Sequence, residues 1–252
     1  MRLAKGVESI GGLPMAHIAG LSAVVCSDLH LGYESVMAKS GTFMPKNNLN
    51  SIKKAFDEAA SIARFDRVII TGDVKNDFGS LDDDEFNELR ELAAHLRNEI
   101  GVKDILLVKG NHDNYIDRMS GPAGIRVMAD GFVEGGYLFA HGDSAWSESE
   151  DFSCAIIGHV HPSIGIYSSF GVKEKLRCFL SGRTRNGREV LVLPSMNFFS
   201  SGSDINMESK PEEMSPVFGD AVDVDSMHAI CLGEGEVLDF GTIGELRKLA
   251  ER

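Results

Sequence analysis

The amino-acid sequence predicts an α/β fold in which two packed sheets are flanked by helices. The first half of the chain alternates short apolar runs, typical of buried strands, with amphipathic stretches of helical period. The second half carries a succession of short strands, and Asn186-Gly187 between two of them signals a hairpin. This difference between the halves favours two packed sheets over one open parallel sheet.

Five elements are predicted in the first half. Three apolar runs predict buried strands, and two longer stretches with apolar residues at helical spacing predict helices. The strands are Ala23–Cys26, Arg67–Ile70 and Asp104–Val108, and the helices span 47–63 and 81–100. Buried strands joined by helices indicate parallel crossovers, so we expect both faces of this part of the sheet to be covered.

The second half predicts seven short strands, a long loop and a final helix. The strands span 136–140, Cys154–Ile157, 164–167, 176–181, 189–193, His228–Leu232 and 237–240. The polar stretch 200–226 contains two prolines and predicts a loop, and the final helix spans 243–251.

Composition bounds the class of protein. The 252 residues can bury a large core, and we expect a single domain over 1–252. The net charge of −13 disfavours broad, sequence-independent binding of nucleic acid, since the phosphate backbone would meet a repulsive field.

No secretion signal or run of ~18 apolar residues is present, which predicts a cytoplasmic protein without membrane contact. The four scattered cysteines predict reduced core residues.

Five short segments rich in Asp, Asn and His come directly after predicted strands. They are Ser27-Asp28-Leu29-His30, Gly72-Asp73, Gly110-Asn111-His112-Asp113, His141-Gly142-Asp143 and Gly158-His159-Val160-His161. Open α/β sheets bind ligands at the carboxyl ends of their strands. One such segment alone is more often an ordinary turn, but five in succession indicate a common site.

The donor types within these segments point to a metal centre. Asp28 and His30 are two residues apart, as are His159 and His161, so on an extended segment each pair points the same way and can reach one cation. Carboxylate, amide and imidazole donors without a thiolate suit Mn²⁺, Fe²⁺, Zn²⁺ or Co²⁺.

The ordered set D-x-H, G-D, G-N-H-[DE], H and G-H-x-H resembles the calcineurin-like metallophosphoesterase superfamily between Val24 and His161. Other stretches resemble one branch, the ICC-like archaeal phosphoesterases and the DNA-ligase-associated metallophosphoesterases. They are Asp28-Leu29-His30-Leu31-Gly32, Gly72-Asp73-Val74-Lys75, Gly158-His159-Val160-His161-Pro162, Leu193-Pro194-Ser195-Met196-Asn197 and Gly202-Ser203-Asp204-Ile205-Asn206. The resemblance implies the metallophosphoesterase fold, a four-layer α/β/β/α sandwich of two mixed sheets.

The resemblance also implies a role for each matching residue. One metal ion would be held by Asp28, His30 and His161, a second by Asn111, His141 and His159, and Asp73 would bridge both. His112 matches the family's catalytic histidine, which faces the substrate. Lys75, two residues after the bridging aspartate, is our predicted phosphate contact.

Asn76 marks a departure from the superfamily pattern. Three residues after the bridging aspartate the superfamily commonly has Asp or His, which helps to set the catalytic histidine. This chain has Asn76 there, followed by Asp77. Asp113 is a third candidate and is counted here as catalytic together with His112. The sequence leaves open which of the three orients His112.

The implied activity is hydrolysis of a phosphoester bond by a hydroxide that bridges two divalent metal ions. We expect Mn²⁺, with Fe²⁺, Zn²⁺ or Co²⁺ as alternatives. The branch is associated with nucleic-acid maintenance genes, and the five segments contain no arginine for clamping a terminal phosphate. Both points favour phosphodiesters of nucleotide or nucleic-acid type, with a phosphomonoesterase of the same fold as the alternative. Whether nucleic acid is the partner, and the oligomeric state, stay open.

Two further classes fit the sequence less well. A non-catalytic metal-binding scaffold would have lost ligands, whereas every ligand position is filled here and His112 is present. A metal-dependent amidohydrolase usually opens with H-x-H and uses a metal-bridging lysine, whereas this chain opens with Asp28-Leu29-His30.

Several residues outside the segments have a functional and a structural interpretation. Lys173, Lys175, Arg177, Arg183, Arg185 and Arg188 favour a solvated hairpin over a phosphate-steering patch. Trp146 either stacks on a base or packs in the core. His95 has no ligand pattern and is predicted to lie on the surface of its helix, and His17 and His228 are predicted to be structural.

Overall fold

The first half of the chain builds a seven-stranded sheet whose strands follow one another in chain order. They are β1 (Arg2–Ala4), β2 (Val7–Ser9), β3 (Ala16–Ile18), β4 (Ala23–Cys26), β5 (Arg67–Ile70), β6 (Asp104–Val108) and β7 (Arg126–Met128). The pairs from β1 to β4 are antiparallel and those from β4 to β7 are parallel. This computed structural model describes residues 1–79, 83–146, 151–167, 170–219 and 221–250.

Helices cover the outer face of this sheet. They are α1 (Tyr33–Lys39), α2 (Asn48–Ile62), α3 (Asp83–His95) and α4 (Asp117–Ala123). A π-helical turn, Leu96–Ile100, continues α3. The helix α2 buries Ile52, Phe56 and Ala59, whose spacing places them on one helical face.

The second half builds a nine-stranded sheet. Its strands are β8 (Phe132–Glu134), β9 (Tyr137–Phe139), β10 (Cys154–Ile157), β11 (Pro162–Tyr167), β12 (Lys173–Arg183), β13 (Glu189–Val192), β14 (Ser203–Asp204), β15 (His228–Leu232) and β16 (Val237–Thr242). The strand β10 runs parallel to both β9 and β13. As predicted, Asn186-Gly187 lies in the turn between the antiparallel strands β12 and β13. The helix α5 (Ile243–Ala250) follows β16.

Three apolar clusters separate four layers. Inward-facing residues of both sheets, such as Val25 and Ile156, form the central cluster. Their neighbours on the first sheet, such as Val24, pack under α2, α3 and α4. Residues of the second sheet pack with Ile243 and Leu246 of α5 in the third cluster. The four-layer α/β/β/α sandwich of two mixed sheets is therefore confirmed.

Several short elements were absent from the prediction. The strands β1, β2, β3, β7 and β8 have three residues each, and α1 and α4 have seven. Three residues are too few to show a period of two, so these strands have no visible sequence signal. Of the helix predicted over 81–100, positions 81 and 82 lie outside the described residues, as does position 251 of the last predicted helix.

The stretch 200–226 is more ordered than the predicted loop. It contains β14 and two 3₁₀ turns, Pro211–Glu213 and Val224–Ser226. It also buries Ile205 and Phe218 in the cluster beside α5. The prediction of a loop missed these short elements and the buried side chains, because the apolar residues are isolated within polar sequence and follow neither the strand nor the helix period.

The basic stretch of the second sheet is paired within the protein. Lys173 and Lys175 both contact the carboxylate of Asp204, the latter at 3.3 Å. Arg183 lies 3.2 Å from Glu189. These pairs support the interpretation as an ordinary solvated hairpin rather than a patch that steers phosphate.

Other side chains away from the segments are also structural. The four cysteines are buried and free, as predicted. Trp146 packs edge-on against Phe152, with ring centroids 5.9 Å apart. Among the helices of the described residues, none combines the length and the apolar character needed to cross a membrane.

Candidate metal centre

The five polar segments meet at one edge of the two sheets, because β4, β5, β6, β9 and β10 all end there. Backbone hydrogen bonds join neighbouring segments of the first sheet: the N–H of Asp28 donates to the oxygen of Gly72, and that of His30 to the oxygen of Asp73, both at 3.0 Å. The N–H of His159 donates to both carboxylate oxygens of Asp28, at 3.1 and 3.2 Å. This contact links the second sheet to the first at the site.

Asp28, His30 and His161 form the first group of donors. Their ligand atoms lie within 4.8 Å of one another. The Nε2 nitrogens of His30 and His161 are 3.2 Å apart, and the latter is also 3.2 Å from Oδ1 of Asp28. Three donors aimed at one small volume are the arrangement that a divalent cation requires. The structure thus brings together the residues predicted for the first metal ion.

Asp73, His141 and His159 form the second group, again within 4.8 Å. Nε2 of His141 lies 3.2 Å from Oδ2 of Asp73 and 3.1 Å from Oδ1 of Asn111. Asp73 also belongs to a group with His30 and His112. It therefore lies between the two sets of donors, where a bridging ligand is expected.

The backbone is strained at five of the predicted ligand positions. Seven described residues other than glycine have positive φ, and five of them are Asp28, His30, Asp73, His159 and His161, with φ between 46° and 69°. Each such residue costs of order 1–3 kcal/mol, so it persists only where the surroundings enforce it. The positive φ angle turns the backbone sharply near the end of each strand and directs the side chain into the shared site.

Glycines leave the room that the ligands need. A Cβ at Gly72 would lie 2.1 Å from Nδ1 of His141, and one at Gly110 would lie 2.2 Å from Oδ1 of Asp73. Both distances are far below van der Waals contact. The glycines before Asp73 and Asn111 are thus required by close approach, beyond their ordinary use in turns.

Opposite charges are concentrated in the site. Burial would raise the pKa of Asp28, but His161, His141 and His30 outweigh it and hold that pKa well below its usual range. Burial would lower the pKa of His141, but its hydrogen bond to Asp73 and the nearby carboxylates raise that pKa to about 9. Burial and the neighbouring His161 lower the pKa of His30 to about 4, which keeps its ring neutral.

The donor set fits two divalent cations. Asp28, His30 and His161 would hold one, Asn111, His141 and His159 the other, and Asp73 both. Nδ1 of His30 is buried and, within the described residues, has no hydrogen-bond partner, although a buried imidazole nitrogen normally has one. Borderline-to-hard ions suit oxygen and imidazole donors of this kind.

Two outer contacts that the sequence did not indicate hold the ligand rings. Nδ1 of His141 donates to the backbone oxygen of Thr71 at 2.8 Å, and Nδ1 of His161 lies 3.2 Å from Oγ of Ser200. Such contacts fix the tautomer and leave Nε2 for a metal. A backbone carbonyl has no sequence signature, and Ser200 lies in the stretch that was predicted as a loop.

His112 is held on three sides. Its Nδ1 lies 2.7 Å from the backbone oxygen of Asn76, which can only accept, so Nδ1 carries the proton. The ring of Phe78 covers one face at 3.5 Å between centroids, and His30 packs edge-on at 4.8 Å. Of the three candidates to orient His112, the contact is made by Asn76, through its backbone rather than its side chain.

Asp113 is enclosed by the segments that follow β5 and β6. It is buried and accepts hydrogen bonds from the N–H groups of Gly110, Val74 and Lys75 at 2.9, 3.0 and 3.3 Å. Burial raises its pKa to about 7 despite these contacts. Asp113 thus joins the segments after β5 and β6, and the prediction that it is catalytic is corrected to a structural role.

Lys75 also departs from its predicted role. Its side chain is 1% exposed and points under α3, where Nζ lies 3.8 Å from Oε2 of Glu85. A phosphate at the metal groups cannot reach an ammonium group enclosed in this way. The predicted phosphate contact is therefore corrected: the chain turns after Asp73 so that Lys75 faces the interior.

A cleft of about 430 Å³ opens beside the first group of donors. His30, His112 and His161 lie on its floor, and Tyr33 and Phe199 stack at 5.6 Å between centroids with their planes 13° apart. Its remaining lining residues are Asn76, Asn197, Ser200, Ser201, Gly202 and Ser203. The cleft therefore combines imidazoles, hydroxyls and one aromatic wall.

Comparisons with known proteins concern the family of this chain and its fold. A family model described as calcineurin-like phosphoesterase matches residues 21–182. The nuclease MPE from Pseudomonas putida has 15% sequence identity and a TM-score of 0.61, covering 90% of this chain and 93% of that one. The phosphoesterase Yfce from E. coli has 16% identity and a TM-score of 0.41, covering 86% and 96%. No curated protein matches the sequence.

Proposed function

Because the chain belongs to the calcineurin-like phosphoesterase family, whose members are metal-dependent hydrolases of phosphoesters, we propose that it hydrolyses phosphodiesters at a centre of two divalent metal ions. The proposal is supported by two groups of donors that share Asp73. When bound, the ions would supply an activated water near neutral pH and stabilise charge on the phosphate oxygens. We propose Mn²⁺ as the metal, with Fe²⁺, Zn²⁺ and Co²⁺ as the alternatives.

In this proposal His112 acts on the leaving group. The contact with the oxygen of Asn76 keeps the proton on Nδ1 in the neutral ring and turns Nε2 toward Asp73, from which it is 3.8 Å distant. The ring lines the cleft, so a substrate bound there can meet it. Nε2 would donate a hydrogen bond or a proton to the departing oxygen when the ring is charged. A positioned acid of this kind contributes ~10²–10⁴ in rate.

The residues that line the cleft favour diesters over monoesters. Among the described residues that line it, none is arginine or lysine. A monoester carries nearly two charges on its terminal phosphate, and sites selective for it use fork-like arginine contacts. A diester carries one charge and needs less compensation. The inward turn of Lys75 removes the basic side chain that stood nearest in sequence.

The stacked pair Tyr33 and Phe199 adds a preference for a planar group on the diester. Aromatic walls bind nucleobases by stacking, largely without regard to sequence. A nucleotide-type diester would place its phosphate at the histidines and its base on this wall. The branch resemblance supports the same class. The Pseudomonas putida protein is described as a nuclease. Because it shares 15% sequence identity with this chain, the likeness between the two proteins shows the fold alone.

The proposal is tested by steady-state kinetics with added Mn²⁺. We expect kcat/KM for bis(p-nitrophenyl) phosphate to exceed that for p-nitrophenyl phosphate at the same pH, and chelation to abolish both. A tenfold preference for the monoester would replace the assignment with a phosphomonoesterase. Absence of metal-dependent turnover with either ester would instead leave a metal-binding scaffold.

A further inference from the structure

The peptide group between Asn76 and Asp77 lies between two ionisable side chains. Its carbonyl oxygen accepts from Nδ1 of His112 at 2.7 Å. Its N–H, which belongs to Asp77, donates to Oε1 of Glu85 at 2.7 Å. The same carboxylate oxygen accepts the N–H of Asn76 at 2.9 Å. A carboxylate at the N–H end polarises a peptide group and increases the negative charge on its carbonyl oxygen.

Glu85 is enclosed at this position by neighbouring parts of the chain. It is 1% exposed, lies in the first turn of α3, and reaches under the segment that follows β5. A Cβ at Gly32 would lie 2.4 Å from its Cγ, so the chain around Gly32 closes the other side. Nζ of Lys75 lies 3.8 Å from Oε2 and partly offsets the cost of burying the charge.

From this geometry we infer that Glu85 is a positioning residue for His112, acting through the intervening peptide group. The inference rests on the proposed function, in which His112 serves the leaving group. Glu85 supplies a carboxylate beside Asn76, at whose position the superfamily commonly has Asp or His. His112 thus receives its orienting charge from a residue that lies nine positions after Asn76 and on a different element.

This relay fixes the direction of the imidazole. The polarised carbonyl strengthens the hydrogen bond from Nδ1–H, and that bond holds the ring in the orientation in which it lines the cleft. Removing the charge of Glu85 while keeping the hydrogen-bond acceptors should weaken this hydrogen bond and leave the fold intact.

Glu85→Gln is the variant that makes this separation, because a glutamine oxygen can still accept both N–H groups. Glu88→Gln is its matched control. Glu88 lies one turn further along α3, is partly buried, and accepts the N–H of Gly32 at 2.8 Å. It does not contact the peptide group between Asn76 and Asp77. Both substitutions remove one carboxylate that caps backbone N–H groups.

The deciding experiment is a double-mutant cycle with His112→Ala, measured as kcat on bis(p-nitrophenyl) phosphate with added Mn²⁺. We expect Glu85→Gln to lower kcat about tenfold in the wild-type background, the lower end for an outer partner of a catalytic group. In the His112→Ala background we expect less than a twofold change, because a residue acting through His112 has nothing left to act on. Glu88→Gln should change kcat less than twofold in both.

The inference would be overturned if Glu85→Gln lowered kcat equally in the wild-type and His112→Ala backgrounds. An unchanged kcat in Glu85→Gln would overturn it as well. Loss of bound metal or a large drop in Tm in Glu85→Gln would also count against it, since the role would then be in the fold. A second measurement does not depend on turnover. In ¹⁵N-labelled protein, the Nδ1 proton of His112 should move upfield in Glu85→Gln and stay in place in Glu88→Gln. If the wild type fails to hydrolyse diesters, the proposed function fails while this spectrum still decides on the relay.

Discussion

Oδ2 of Asp73 lies 3.2 Å from Nε2 of His141, and the same carboxylate accepts the backbone N–H of His112 through Oδ1 at 2.9 Å. One aspartate therefore contacts a ligand of the second metal group and the backbone of the histidine that faces the cleft. Because it also joins His30 in a group of donors, its charge serves both groups. Removing the charge of Asp73 should therefore affect both groups of donors.

Asp73→Asn should weaken both metal sites and abolish turnover. The amide keeps the shape of the side chain but has one oxygen donor and no charge, so it cannot bridge two cations. Metal content by elemental analysis and turnover of bis(p-nitrophenyl) phosphate measure the two effects. Asp143→Asn is the control, since Asp143 is an exposed aspartate of the same segment as His141. Wild-type activity in Asp73→Asn would contradict the two-metal centre.

His112→Ala and His159→Ala should separate chemistry from binding. His112→Ala should retain both metal ions and lower kcat by ~10²–10⁴, the loss expected for a positioned acid. His159→Ala should lose the second ion, because its ring belongs to the group of Asp73 and His141. The number of Mn²⁺ ions bound by each variant, measured by equilibrium dialysis at increasing Mn²⁺ concentration, distinguishes the two variants. The roles would be reversed if His112→Ala lost an ion and His159→Ala kept two.

Gly72→Ala should displace His141 and lower the affinity of the second site for metal. The added Cβ would lie 2.1 Å from Nδ1 of that ring, and φ at Gly72 is +98°. Gly41→Ala separates strain from collision, because Gly41 has φ +90° with no atom within 4 Å of the added Cβ. Both variants should lose about 1–2 kcal/mol of stability from the backbone. Only Gly72→Ala should also lose metal affinity, tenfold or more, in a metal titration.

Tyr33→Ala should weaken binding of nucleotide-type diesters with little change in kcat. Tyr33 forms one half of the aromatic wall with Phe199, and stacking of a base on an aromatic ring contributes about 1–3 kcal/mol. We therefore expect KM for thymidine 5′-(p-nitrophenyl phosphate) to rise fivefold or more. KM for methyl p-nitrophenyl phosphate, which carries no base, should change less than twofold. Equal increases for both substrates would remove the wall from substrate recognition.

The sequence by itself determined the fold class and predicted which donors the structure brings together. Strand ends at the carboxyl edge of a sheet converge whatever the rest of the chain does, so Asp28, Asp73 and His159 could be grouped from their positions after apolar runs. The paired spacing of Asp28 with His30 added the direction of the side chains. Long buried strands and amphipathic helices were visible for the same reason: each has a local period.

The tertiary structure alone decided what surrounds these ligands. The inward turn of Lys75, the structural role of Asp113 and the hold of Asn76 on His112 all depend on how loops from separate strands pack, and no local pattern records that packing. The contact from Asn76 is made by a backbone carbonyl, which every residue possesses and no residue type signals. Glu85 reaches the same peptide group from the first turn of α3. Side-chain type and spacing specify donors, whereas the three-dimensional arrangement specifies which donors meet.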